Sequence, residues 1–255
     1  TLPGTWLGTQ AIVLPKNSFT PLRRATFGIR HNVRPKDLMP SLCAICGINA
    51  ATTKDHIPPK SLYPKPRDND INLNTVPACA RCNNSAASDD EIFKVLIGID
   101  TGEHQKDPQK IIDSLAGTIG KNARVAGQVF STEKRIFTGL RGSVLEPAVA
   151  VTFDFKPYER VITRAIRGLF WMETGKFLHP EATFQVLPGA QLSPNLAADW
   201  MSLLMGRPLK MLNKDSFAYR YYIGTNGSHA WGLQFFSRHT TFVLVVEPDA
   251  HCAED

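Results

Sequence analysis

The stretches CAICG (43–47), TKDHIPPKS (53–61) and NLNTVPACARCNNSAASDD (72–90) decide how this chain folds at its N-terminal end. Two Cys-x-x-Cys pairs, Cys43/Cys46 and Cys79/Cys82, bracket the dipeptide Asp55-His56. Each pair sets two sulfurs on one tight turn, and two such turns can close a four-sulfur tetrahedral zinc site. Four cysteines leave no coordination position open, so the expected zinc is structural. Its binding is itself folding free energy, on the order of 10 kcal/mol or more. A small segment with few core residues needs that contribution.

Asp55-His56 sits inside the loop that such a zinc would close, just before Pro58 and Pro59. Phosphodiester hydrolysis needs a water deprotonated near neutral pH, and imidazole has a suitable pKa. It also needs a divalent ion to absorb charge on the phosphate and the leaving oxygen. Carboxylate and amide oxygens are hard ligands suited to magnesium or manganese. Asn83 and Asn84 follow Cys82 directly, so the second knuckle can offer an amide as the second ligand.

Over residues 41–93 the chain resembles the zinc-knuckle HNH endonucleases, whose core is the ββα-metal fold. The elements occur in order: Cys43/Cys46, Asp55-His56 with Pro58, Asn72 or Asn74, Cys79/Cys82, and Asn83. The resemblance implies a role for each. Asp55 is similar to the carboxylate that binds the catalytic ion, and His56 to the general base. Asn83 takes the last position as second metal ligand, which makes this an Asn-ending variant. Asn74 is the preferred match, ahead of Asn72, for the asparagine that fixes the histidine-bearing loop. One element departs from the pattern. A lysine often follows the last His or Asn by three residues, and here that position is Ala86, or Ala87 if Asn84 is the ligand. Lys60, Lys65 and Arg67 in the long Pro-rich loop are candidates for substrate contacts.

The bulk composition fits this reading. The chain has 255 residues, 43% hydrophobic and 20% charged, as globular proteins do. Its net charge is +6 and its pI about 9.1. Much of the excess lies in residues 1–40, where six basic residues (Lys16, Arg23, Arg24, Arg30, Arg34, Lys36) face Asp37 alone. A basic arm suits a polyanionic partner, and the resemblance implies DNA ahead of RNA. The fifth cysteine, Cys252, is expected to be a bystander. No leader or membrane-length apolar run is visible, and the cytoplasm is the expected compartment.

The expected organisation is a basic arm (1–40), a nuclease module (41–97) and an α+β domain (98–255) that could engage a protein partner. Residues 57–70 read as a loop and 98–109 as a linker. A helix is expected from Asp107-Pro108 to about Gly117, others over 158–173 and Leu196–Leu204, and a strand over 148–155. FAYRYYIG, HAWGLQFFS and TTFVLVVEP read as three antiparallel strands. Arg160, Arg164 and Arg167 could track phosphates, though a solvated helix face is the plainer reading. Trp171, Trp200 and Trp231 are expected in the core, and the remaining histidines follow no ligand spacing. Three readings stand open: a metal-dependent endonuclease; a non-catalytic zinc module that binds nucleic acid or protein; and an interaction scaffold whose C-terminal domain carries the biology and whose nuclease is one effector part, for instance in phage defence.

Overall fold

The computed structural model describes residues 41–65, 67, 71–101, 108–130, 134–138, 146–150, 154–213 and 216–248. The basic arm, Cys252, His31, His104 and His251 lie outside them. The architecture is mixed α+β.

The cysteine segment opens the fold. Strand β1 (Thr53–His56) pairs antiparallel with β2 (Thr75–Ala78), setting Asp55 opposite Val76 and His56 opposite Thr75. A short helix α1 (Ala80–Asn84) follows, then α2 (Ala87–Thr101). The loop between β1 and β2 contains a 3-10 turn at Lys60–Leu62. Helices α3 (Pro108–Lys121) and α4 (Ala123–Phe130) come next, and then the hairpin β3 (Lys134–Thr138) and β4 (Glu146–Ala150).

The long helix α5 (Lys156–Thr174) leads into β5 (Thr183–Pro188), α6 (Pro194–Met205), β6 (Lys210–Leu212), β7 (Phe217–Ile223), β8 (Ser228–Phe235) and β9 (His239–Val246). These strands form one antiparallel sheet in the order β5-β9-β8-β7-β6. The period of two sorts their side chains. Phe217, Tyr219, Trp231, Leu233, Phe235, Val243 and Val245 enter the main core, while Ala230 and Phe242 meet Trp200 and Leu204 of α6 on the other face.

Helix α5 is the common wall. Its apolar stripe (Tyr158, Val161, Ile162, Ala165, Ile166, Leu169) belongs to one cluster with Cys43, Ile57, Val76, Phe93 and the inner sheet face. The cysteine segment and the C-terminal sheet therefore share a single core. Gly168 permits the close approach: a Cβ there would lie 2.7 Å from Ile57 Cγ1. A buried polar chain adds to the joint. The Tyr158 hydroxyl is 2.6 Å from His239 Nε2, and His239 Nδ1 is 2.6 Å from Asp100 Oδ2.

Several elements differ from expectation. Gly98–Thr101 are the last turn of α2 rather than linker, because Phe93, Val95, Leu96 and Ile97 are buried at helical spacing. Helix α3 runs past Gly117 to Lys121. Of the strand expected over 148–155, residues 148–150 belong to the strand Glu146–Ala150, residues 151–153 lie outside the described residues, and Asp154 accepts a hydrogen bond from the Lys156 N–H at the start of α5. Pro194 lies within the first turn of α6, capped by the Ser193 hydroxyl. The solvated arginine face is corrected most strongly. Arg160 is exposed, but Arg164 and Arg167 are 7% and 9% exposed. Trp200 and Trp231 are buried, as expected of core side chains.

Candidate metal and phosphodiester site

The ligand atoms of Cys43, Cys46, Cys79 and Cys82 all lie within 4.8 Å of one another. Sulfurs around a zinc ion at about 2.3 Å would stand roughly 3.8 Å apart. The four could therefore hold a metal such as zinc.

The first knuckle turns through Gly47, whose φ of +68° is costly for any residue with a Cβ. The Gly47 N–H donates to the Cys43 carbonyl at 2.8 Å. In the second knuckle the Cys82 N–H points at Cys79 Sγ, 3.5 Å away. Asn49 Nδ2 approaches Cys46 Sγ at 3.7 Å and Cys79 Sγ at 3.9 Å.

The thiols are not equivalent. Burial pushes Cys43 and Cys82 up. Burial also acts upward on Cys46, but the Asn49 and Ile48 backbone hydrogen bonds outweigh it and bring that thiol to about 7. Arg167 adds positive potential near Cys46 and Cys82. Its guanidinium is fixed by the carbonyls of Leu178, His179 and Pro180 at 3.0–3.3 Å and lies over the Phe184 ring.

β1 carries the other candidates. Successive side chains on a strand face opposite ways. Asp55, 5% exposed, faces inward; its Oδ1 accepts the His56 N–H at 2.8 Å. Its Oδ2 lies 3.1 Å from Arg164 Nε, yet the approach is not a hydrogen bond and Oδ2 has no other partner. Arg164 Nη2 donates to Asp90 Oδ1 at the start of α2. One guanidinium thus spans two carboxylates. Burial raises both acids despite Arg164: Asp90 to about 6, and Asp55 upward as well.

Asn83 Nδ2 donates to Thr53 Oγ1 at 3.3 Å. Thr53 and Asp55 are two residues apart on β1, so Asn83 and Asp55 lie over the same face. Asn84 is exposed. The oxygen donors this face offers are the Asp55 carboxylate, whose Oδ2 is paired with Arg164, and the Asn83 amide.

His56 ends β1 on the other side. Burial is the main cause lowering its pKa below the usual 6.5, followed by the charge of Lys60; Arg67 adds to this, while Asp55 and the Asn74 backbone oppose it. Its ring is therefore largely neutral at neutral pH. The Asn74 carbonyl accepts the Ile57 N–H at 3.0 Å, and Asn74 Nδ2 donates to the Asn72 carbonyl at 3.3 Å. Asn74 thus braces the residue after His56, and Asn72 braces Asn74.

Asp90 and Arg164 carry no motif. A stripe in the sequence does point to Arg164: Val161, Arg164, Ala165 and Gly168 fall on one helix face, and the two small residues mark a close packing partner. Among the described residues no helix is long and apolar enough to cross a membrane. No family model, curated protein or solved structure matches the chain.

Proposed function

We propose that this protein is a metal-dependent HNH endonuclease that hydrolyses phosphodiester bonds in DNA, with β1, β2 and α1 as its ββα-metal core and zinc on the four cysteines. One observation carries the reading. Asn83 reaches β1 at Thr53, which brings it over the face that bears Asp55, while His56 leaves the end of the same strand on the other side. In-line displacement at phosphorus needs the base near the attacking water and the cation near the leaving oxygen, on opposite sides of the phosphate. The division of side chains at the end of β1 suits that requirement.

Asp55 and Asn83 would hold magnesium or manganese. Such an ion supplies charge neutralisation at the phosphate and at the departing 3′ oxygen. His56, neutral near pH 7, accepts the proton of the attacking water. Burial, then the charges of Lys60 and Arg67, keep the imidazole in its base form, and the two cations favour an anionic substrate beside it. Asn74 fixes the backbone that follows the imidazole. The product would carry a 5′-phosphate. Incubation with supercoiled plasmid tests this: nicked or linear product is expected with Mg²⁺ or Mn²⁺. Absence of cleavage with every divalent ion tried would remove the assignment.

The Asp55–Arg164–Asp90 network favours a second reading. A carboxylate clamped by a buried arginine is also how a structural module would be tied to α5. In that case the chain is a non-catalytic zinc module that binds nucleic acid or protein. Binding of DNA without cleavage under the same conditions would support it.

A further inference from the structure

An open groove of about 1020 Å³ lies between the loop after β1, α2 and α3. Five basic side chains line it: Lys65, Arg67, Lys94, Lys110 and Lys121. Two acids, Glu91 and Asp113, oppose them, so five positive charges less two negative leave +3. Both acids are engaged by neighbouring amides. Asn122 Nδ2 donates to Glu91 Oε2 at 2.6 Å, and Gln109 Nε2 donates to Asp113 Oδ1 at 2.8 Å.

Lys94 is set rigidly in the groove. Its ammonium donates to the Ser114 carbonyl at 3.0 Å and the Thr118 hydroxyl at 2.7 Å, joining α2 to α3. Lys65 and Lys121 are exposed on opposite walls. Arg67, on the loop that follows β1, lines the groove as well.

Its chemistry identifies the occupant. The rest of the lining is largely short polar side chains and Gly117, which let a chain approach closely. Tyr63, the aromatic residue of the lining, is buried, and its hydroxyl accepts from Asn213 at 2.8 Å. It offers no free face for stacking a base. A groove with excess positive charge, small polar walls and no stacking platform matches phosphates rather than bases.

We infer that the α2–α3 groove holds the sugar–phosphate backbone of a nucleic acid, without reading sequence. This rests on the nucleic-acid reading above, and it adds a phosphate track made by α2 and α3, outside the cysteine segment. That track supplies the positive charge that Ala86 does not.

Binding of a fluorescent 30-base-pair DNA duplex by anisotropy, with no divalent ion added, tests the inference over a salt series. The variants are Lys110→Glu/Lys121→Glu and the milder Lys110→Gln/Lys121→Gln; Lys176→Glu, exposed after α5, is the control. Each lost phosphate contact should reduce the slope of log K against log salt by about 0.9. The double variants should therefore lose close to two units of slope and bind roughly tenfold more weakly or worse. The control should match wild type. An unchanged slope in both double variants, or an equal loss in the control, overturns the groove while leaving the endonuclease reading intact. Failure of wild type to bind the duplex even at low salt overturns both.

Discussion

Replacing Arg164 by Met should destabilise the protein far more than an ordinary helix substitution. The guanidinium is nearly inaccessible and faces two acids, Asp55 on β1 and Asp90 on α2. Met keeps much of the apolar stem but leaves one buried and one half-buried carboxylate without their cation. Removing one partner of a buried pair costs about 3–5 kcal/mol. At about 2–4 °C per kcal/mol for a chain of this size, the melting temperature should fall by roughly 6–20 °C. The triple variant Arg164→Met/Asp55→Asn/Asp90→Asn should recover most of the loss, because no uncompensated charge remains. Denaturant unfolding followed by tryptophan fluorescence is the assay, with buried Trp231 among the probes. Metal content should be unchanged in the single variant, since the Arg164 guanidinium is paired with Asp55 and Asp90 and not with a cysteine. A loss under about 1 kcal/mol for Arg164→Met, or a triple variant no more stable than the single, would refute the buried-clamp argument.

Glu173→Gln should cost about 1.5–3 kcal/mol, because Glu173 accepts hydrogen bonds from Tyr219 and Tyr221 at 2.5 and 2.8 Å and pairs with Lys210. Burial pushes the Glu173 carboxyl up, but Lys210 and the two tyrosines outweigh it and hold it below 4.5. Its contribution is therefore complete above pH 4.5 and fades as pH falls through the folded-state value, which unfolding measured from pH 6 to 3 would show. Gly168→Ala should cost about 1–3 kcal/mol by overpacking, seen in thermal melts, and should slow cleavage by displacing Ile57 beside His56. The pH–rate profile should rise on its acid limb through a value below 6.5, since burial and Lys60 disfavour the imidazolium; an acid limb centred above 6.5 would remove His56 as the titrating base.

Legibility in the sequence followed the range of the interactions. The cysteine pairs were plain because metal ligation demands fixed spacing, and their four sulfurs do converge. The strands around Tyr219, Trp231 and Val243 were plain because alternation of buried and exposed residues is a local property. α2 was hidden at its end, where Gly98 and Asp100 resemble a turn until Ile97 and Thr101 are seen to be buried. β5 and β6 were missed because edge strands carry weak alternation. Arg164 and Arg167 were misplaced for a different reason. Their partners, Asp55, Asp90 and the carbonyls of 178–180, come from other segments, and no window of sequence contains them. Asp90 joined the site through the same long-range pairing.

Single-turnover cleavage of plasmid DNA by wild type and His56→Ala, each carrying the same zinc per chain, bears most directly on the assigned chemistry. The expected result is divalent-ion-dependent nicking by wild type and a rate at least about 100-fold lower for the variant, with equal thermal stability. Equal rates from the two proteins, or no nicking by either, would contradict a phosphodiesterase centred on His56.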